Sequence, residues 1–115
     1  MFEKYAKRLE SLVEAAIRSP GDSSTDLRKA IFERGKAQAI GVDPEGDLPP
    51  ANIAGFVDKI AYMPDEIGDE DLSVLPFSGY SDDAILEMIH TASLAAGVGR
   101  LEIVKAAMRG ERKLS

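Results

Sequence analysis

Apolar positions along this chain recur every three to four residues in segment after segment, and no stretch alternates with the period of two that a half-buried strand needs. The first segment covers residues 2–18, where Phe2, Tyr5, Leu9, Leu12, Val13, Ala16 and Ile17 form one stripe with charges opposite. It is the cleanest amphipathic pattern in the sequence, suited to packing on a core or on a second subunit. The breaker cluster Ser19-Pro20-Gly21-Asp22-Ser23-Ser24 ends it, and Ser24 or Thr25 caps a second helix over residues 26–40 that stops at Gly41. Here the pattern is divided. Leu27, Ala30 and Ile31 mark one face, Phe32 and Ala39 point away from it, and Arg34 and Gln38 return to the Leu27 side. A helix with two partial stripes serves two neighbours, one of which is a candidate second subunit.

Residues 42–50 read as loop, with Asp43-Pro44-Glu45-Gly46-Asp47 as its turn chemistry, and Pro49 and Pro50 suit the first turn of a third helix. Ile53, Phe56, Val57, Ile60 and Met63 give that helix its buried face, Asp58 and Tyr62 lie on its other side, and Pro64 ends it. Asp69 caps a short fourth helix with Leu72 and Leu75 facing inward, closed by Pro76 and Gly79. The strongest signals lie in residues 79–110. Ser81 is placed as an N-cap, Asp82 and Asp83 suit the helix dipole, and Ile85, Met88, Ile89, Ala92, Ala95 and Ala96 share one face. Gly97 offers a left-handed exit, and a further helix over residues 99–109 carries Leu101, Val104, Ala107 and Met108. The pattern thus predicts an all-α fold of five to six helices ending in a helical hairpin, as a single domain over residues 1–115 with a polar tail at 111–115.

Composition narrows the chemistry. A chain of 115 residues can bury a single core without staples, and this one contains no cysteine, which excludes disulfides, thiol catalysis and cysteine-based zinc sites. The net charge of -6 and the lack of tryptophan argue against nucleic acid as a partner. No apolar run approaches the ~20 residues of a membrane span, and the polar face of the first segment mixes both charge signs, so no membrane is expected and a cytoplasmic location is the default. The acidic loop at 43–47 lacks the ligand order of a calcium loop, and Gly97-Val98-Gly99 follows a helix where a phosphate cradle needs a strand. No cofactor is implied.

The order Pro49-Pro50, helix, Asp69-Glu70-Asp71-Leu72, Leu75, Gly79-Tyr80-Ser81-Asp82-Asp83-Ala84-Ile85, Ala95-Ala96-Gly97, Arg100-Leu101 resembles the alkylhydroperoxidase D-like (AhpD-like), or carboxymuconolactone decarboxylase-like, superfamily. It is most similar to the second half of the longer peroxidase-related members. The resemblance covers residues 49–108 and implies an AhpD-like helical domain that forms a homo-oligomer. It would also imply a Cys-x-x-Cys with a nearby histidine, and this chain has no position for that motif. Thiol peroxidase and disulfide reductase activities are therefore excluded, for a fold can transfer without its chemistry.

Candidate site residues are few. Arg100 falls between Val104 and Ala107, inside the apolar face and in the first turn of the expected last helix, where the dipole disfavours a cation. It needs either a carboxylate such as Asp58, Asp71 or Glu87, forming a structural ion pair, or an anionic ligand. Arg34 is a second candidate for either role. His90 is the only histidine; it shares a solvated face with Asp83, Glu87 and Ser93, and is a weak acid/base candidate. The acidic pairs at helix starts are explained by caps and dipoles. Two functions fit these residues. The first is a non-catalytic oligomeric binding or interaction protein. The second is a cofactor-free lyase or isomerase resembling carboxymuconolactone decarboxylase, in which Arg100 or Arg34 holds a small carboxylate and an acid or His90 moves a proton.

Overall fold

Two serines start the helices that carry the core. In a computed structural model of the chain, which describes residues 3–44, 46–77 and 79–110, the Ser24 hydroxyl accepts from the Leu27 amide at 3.0 Å and the Ser81 hydroxyl from the Ala84 amide at 3.1 Å. Phe2 and the tail at 111–115 lie outside the described residues. Five α-helices follow in order: α1 (Glu3–Arg18), α2 (Thr25–Ile40), α3 (Ala51–Tyr62), α4 (Asp69–Phe77) and α5 (Asp82–Met108), with a 3-10 turn at Pro64–Glu66. No strand occurs among the described residues, so the fold is all-α.

The expected C-terminal hairpin does not form. One helix, α5, runs straight through Gly97 and Gly99, and the left-handed glycines are Gly41, Gly46, Gly79 and Gly110 instead. Two glycines in a helix cost about 1 kcal/mol each relative to alanine, yet restarting a helix at Gly99 would need a cap, and no serine, threonine, aspartate or asparagine stands there. Gly99 is also fully enclosed by α2. A Cβ there would lie 2.8 Å from the Lys36 carbonyl oxygen and 2.9 Å from the Ala39 Cβ. One crossing turn away, a Cβ on Gly35 would lie 3.0 Å from the Ala95 Cβ. The two helices therefore meet through small residues, Gly35 and Ala39 against Ala92, Ala95 and Gly99, and backbone approaches backbone.

Against this pair lies α3. Ile53, Phe56, Val57 and Ile60 bury the face the periodicity assigns, joining Ile31, Leu75, Ile85 and Met88 in the central cluster. Two expectations fail at its edge: Met63 and Leu72 are exposed, because the chain turns away at Pro64 and α4 turns Leu75 rather than Leu72 to the core. Pro49 and Pro50 precede α3 rather than entering it. Likewise Asp69 is not the cap of α4. The Gly68 carbonyl accepts the first helical bonds, and the Asp71 carboxylate accepts from the Gly68 amide at 3.0 Å, a reciprocal cap. The helix also continues past Pro76 to Phe77 before Gly79 turns it.

The divided pattern of α2 is answered within the chain. Arg28, Ala30, Ile31, Phe32, Gly35 and Ala37 are all buried, with α5 and α3 on the two sides, so neither stripe is left for a second subunit. α1 is the opposite case. It has the strongest amphipathic pattern and not one buried residue: Tyr5 is 65% exposed and Leu12 60%.

Candidate functional site

The charged side chains singled out by sequence are drawn into separate structural pairings. Arg34 projects from α2 to Asp58 on α3, where its Nε and Nη2 donate to the two carboxylate oxygens, each at 2.8 Å. That bidentate bond raises the Arg34 pKa further above its ordinary value. Arg100 does not pair with Asp58, Asp71 or Glu87. It sits in the middle of α5 rather than in a first turn, and its Nη2 donates to the Ala61 carbonyl at the C-terminal end of α3. A guanidinium there satisfies an orphan carbonyl and lies at the negative end of the α3 dipole. Asp71 is occupied by the Gly68 amide and by the Lys59 ammonium at 2.9 Å, which together hold its pKa below the usual carboxylate value. A double-mutant cycle on Arg34→Ala and Asp58→Ala, read by urea unfolding, is expected to return a coupling of about 1 kcal/mol, the upper end for partly exposed pairs because both donors are aligned. A coupling near zero would make the pair ornamental.

Glu87 is the hub of a joint that sequence reasoning placed in solvent. Its carboxylate accepts from the Ser23 hydroxyl at 2.5 Å, the Ser23 amide at 2.8 Å and the Asp22 amide at 2.9 Å. These donors, the Ser23 hydroxyl foremost, lower its pKa to about 2, and the nearby Arg28 cation adds to the effect. Arg28 was not foreseen. It is 3% exposed, and donates to the carbonyls of Ala16 at 2.8 Å and Ser19 at 2.6 Å, so α2 supplies the cap for the end of α1. Its Nε finds no acceptor among the described residues. The signal was present: Arg28 precedes Ile31 and Phe32 by one turn and adjoins a turn rich in free carbonyls. From the other side, the Ser81 hydroxyl donates to Asp22 at 2.9 Å while capping α5. A Cβ on Gly21 would lie 2.6 Å from a Glu87 oxygen, so a side chain there would push the carboxylate off its Asp22 and Ser23 donors. These contacts lock the α1–α2 turn to the start of α5.

His90 is exposed, and no group of three or more metal-ligating side chains occurs among the described residues. No described helix is long and apolar enough to cross a membrane. What remains open is apolar. α1 runs antiparallel to the C-terminal half of α5, with Glu3 and Ala6 beside Lys105 and Met108, and Leu9 and Val13 beside Val98 and Leu101. Between them and α2 lies a groove of about 390 Å³, floored by Leu9, Val13, Phe32, Val98 and Leu101 and edged by Glu10, Lys36, Glu102 and Lys105. On the same two helices Tyr5, Leu12, Leu101, Val104 and Met108 are exposed.

No protein-family model matches this chain, and searches of curated proteins and of solved structures found no significant match. The site must be read from its own residues. Those residues form an open apolar surface on α1 and the C-terminal half of α5, and a polar clamp where the α1–α2 turn meets the N-terminal half of α5. Leu101, Val104 and Met108 were expected to pack inside a hairpin; the uninterrupted helix leaves them outside.

Proposed function

We propose that this protein is a non-catalytic interaction module, a thiol-free AhpD-like chain whose working surface is the apolar face shared by α1 and the C-terminal half of α5. The observation that carries this reading is that α1, the most amphipathic helix, has no buried residue and keeps Tyr5 and Leu12 more than half open. A face of that kind, beside the exposed Leu101, Val104 and Met108, exceeds the scattered single apolar residues of an ordinary surface. A cytoplasmic setting and a second copy as partner belong to the same proposal. The lyase reading has less support, since an anion-holding arginine must be free: Arg34 is engaged by Asp58 and Arg100 by Ala61.

The reading requires that the face serve binding more than folding. A Tyr5→Lys/Leu12→Lys chain is expected to keep its helical circular dichroism and to unfold in urea within about 1 kcal/mol of wild type, as substitutions at open positions do. A loss above about 3 kcal/mol would assign the face to the protein's own fold and overturn the proposal.

A further inference from the structure

The charges of α1 and the end of α5 are sorted by side. Glu3, Glu10 and Glu14 share one flank of α1; the last two line the groove with Lys36 of α2, whose ammonium lies 3.4 Å from the Glu102 carboxylate. Tyr5 and Leu12 stand on the other flank, across Leu9 from the glutamates, and the charges next to them are Lys4 and Arg8. On α5, Val104 and Met108 are likewise separated from Glu102 by Lys105, and Arg100 borders Val104 on the far side. The open apolar side chains are thus edged by four cations. Among the described residues none of the four has a carboxylate within ion-pair distance, and Arg100 donates to an uncharged group, the Ala61 carbonyl.

We infer that this face receives an acidic amphipathic helix of a partner protein, its apolar stripe on Tyr5, Leu12, Val104 and Met108 and its carboxylates toward Lys4, Arg8, Arg100 and Lys105. The inference rests on the interaction reading above and sets a second copy aside for this face, because two copies meeting here would bring like charges together. The distribution of charge along the chain supports it. Residues 3–18 and 98–110 carry seven Lys and Arg against four Glu, although the chain as a whole has a net charge of -6. An anionic bilayer would extend beneath the acidic remainder and be repelled by it, whereas a single helix touches the basic face alone. A helix also suits the shape of the site, for two antiparallel helices side by side leave a furrow that a third can fill. No strand edge occurs among the described residues to receive an extended segment.

The test pans the whole chain against a displayed library of helices that share leucines at i, i+3, i+4 and i+7 and carry either Glu or Lys at every flanking position. Glutamate should be enriched over lysine at the flanks. The enriched peptide should bind the wild type and Leu48→Gln, an exposed apolar position in the loop before α3, equally well. It should bind Lys4→Glu/Arg8→Glu about tenfold or more weakly, and should lose affinity on Val104→Gln/Met108→Gln and as salt is raised. Lysine enriched at the flanks, no helix retained, or retention indifferent to both variants overturns the acidic partner. So does sedimentation of the chain with phosphatidylglycerol vesicles when acidic helices are not retained, which assigns the face to a membrane. A dimer in light scattering that Val104→Gln/Met108→Gln abolishes gives the face to a second copy and overturns it equally. Each of these results leaves the interaction reading standing with another partner, whereas unfolding of Tyr5→Lys/Leu12→Lys overturns that reading itself.

Discussion

Gly99→Ala is expected to destabilise the protein by about 1–3 kcal/mol, while Gly97→Ala, two residues earlier in the same helix, stabilises it by about 0.5–1 kcal/mol. Both glycines are helical, so alanine gains the same intrinsic propensity at either position. What differs is space. Nothing lies within 4 Å of a Cβ at Gly97, whereas one at Gly99 meets the Lys36 carbonyl oxygen at 2.8 Å and the Ala39 Cβ at 2.9 Å. Backbone cannot swing aside as a long side chain can, so α2 and α5 must separate along a contact that also holds Gly35 against Ala95. The helix-propensity gain offsets only part of that strain. Urea unfolding of the two variants beside wild type measures both signs. The Gly97 result separates the two architectures: in a hairpin, Gly97 would hold a left-handed turn and alanine there would destabilise. A destabilised Gly97→Ala together with a neutral Gly99→Ala would therefore argue for the hairpin and against the continuous helix.

Arg28→Met should cost about 3 kcal/mol, the larger of the expected losses from a single polar side chain. The substitution keeps the aliphatic stem but leaves the Ala16 and Ser19 carbonyls at the end of α1 without their donor, and removes the cation that favours the ionised Glu87. Because α1 has no buried residue to hold it, its C-terminal anchor carries a large share of its attachment. Hydrogen exchange in Arg28→Met should therefore quicken in α1 before it quickens in α5; uniform quickening would deny α1 this dependence.

The same joint sets a pH dependence. In the folded chain the Glu87 carboxylate stays charged down to about 2, against 4.5 for the unperturbed group. Its stabilisation is thus complete above about pH 4.5 and is lost as pH falls from there to about 2. The stability gap between wild type and Glu87→Gln should be widest near neutrality and should close over that window. Asp71, whose pKa is also lowered, contributes acid sensitivity to both chains and cancels from the difference.

Much of this fold was legible before any coordinates. Ser24, Gly41 and Ser81 each announced a helix end by a local hydrogen bond or a left-handed turn, and the α3 face followed from the spacing of Ile53, Phe56, Val57 and Ile60. The pairings were less legible. Arg34 and Asp58 were both candidates, but nothing in a 24-residue separation says which cation meets which carboxylate. The pattern asks a carboxylate or an anionic ligand of Arg100 because it falls in the apolar face and first turn of a helix expected from Gly99; in a continuous α5 the residue is exposed, far from either dipole end, and finds a carbonyl on α3. Glu87 looked solvated because the wheel of its own helix shows no neighbour there. The neighbour is a turn 64 residues earlier in the chain.

The sequence by itself determined the all-α class, the serine caps, the core side of α3 and the exclusion of thiol chemistry, because each depends on residues within a turn of one another or on the inventory of side chains. Tertiary structure decided that Gly97 and Gly99 stay helical, that Arg28 and Glu87 lock the first turn, and that α1 and the end of α5 keep an open apolar face. Each of those outcomes depends on what another segment brings to the same place. A glycine reads as an exit in one dimension, and only the approach of α2 makes it a point of contact.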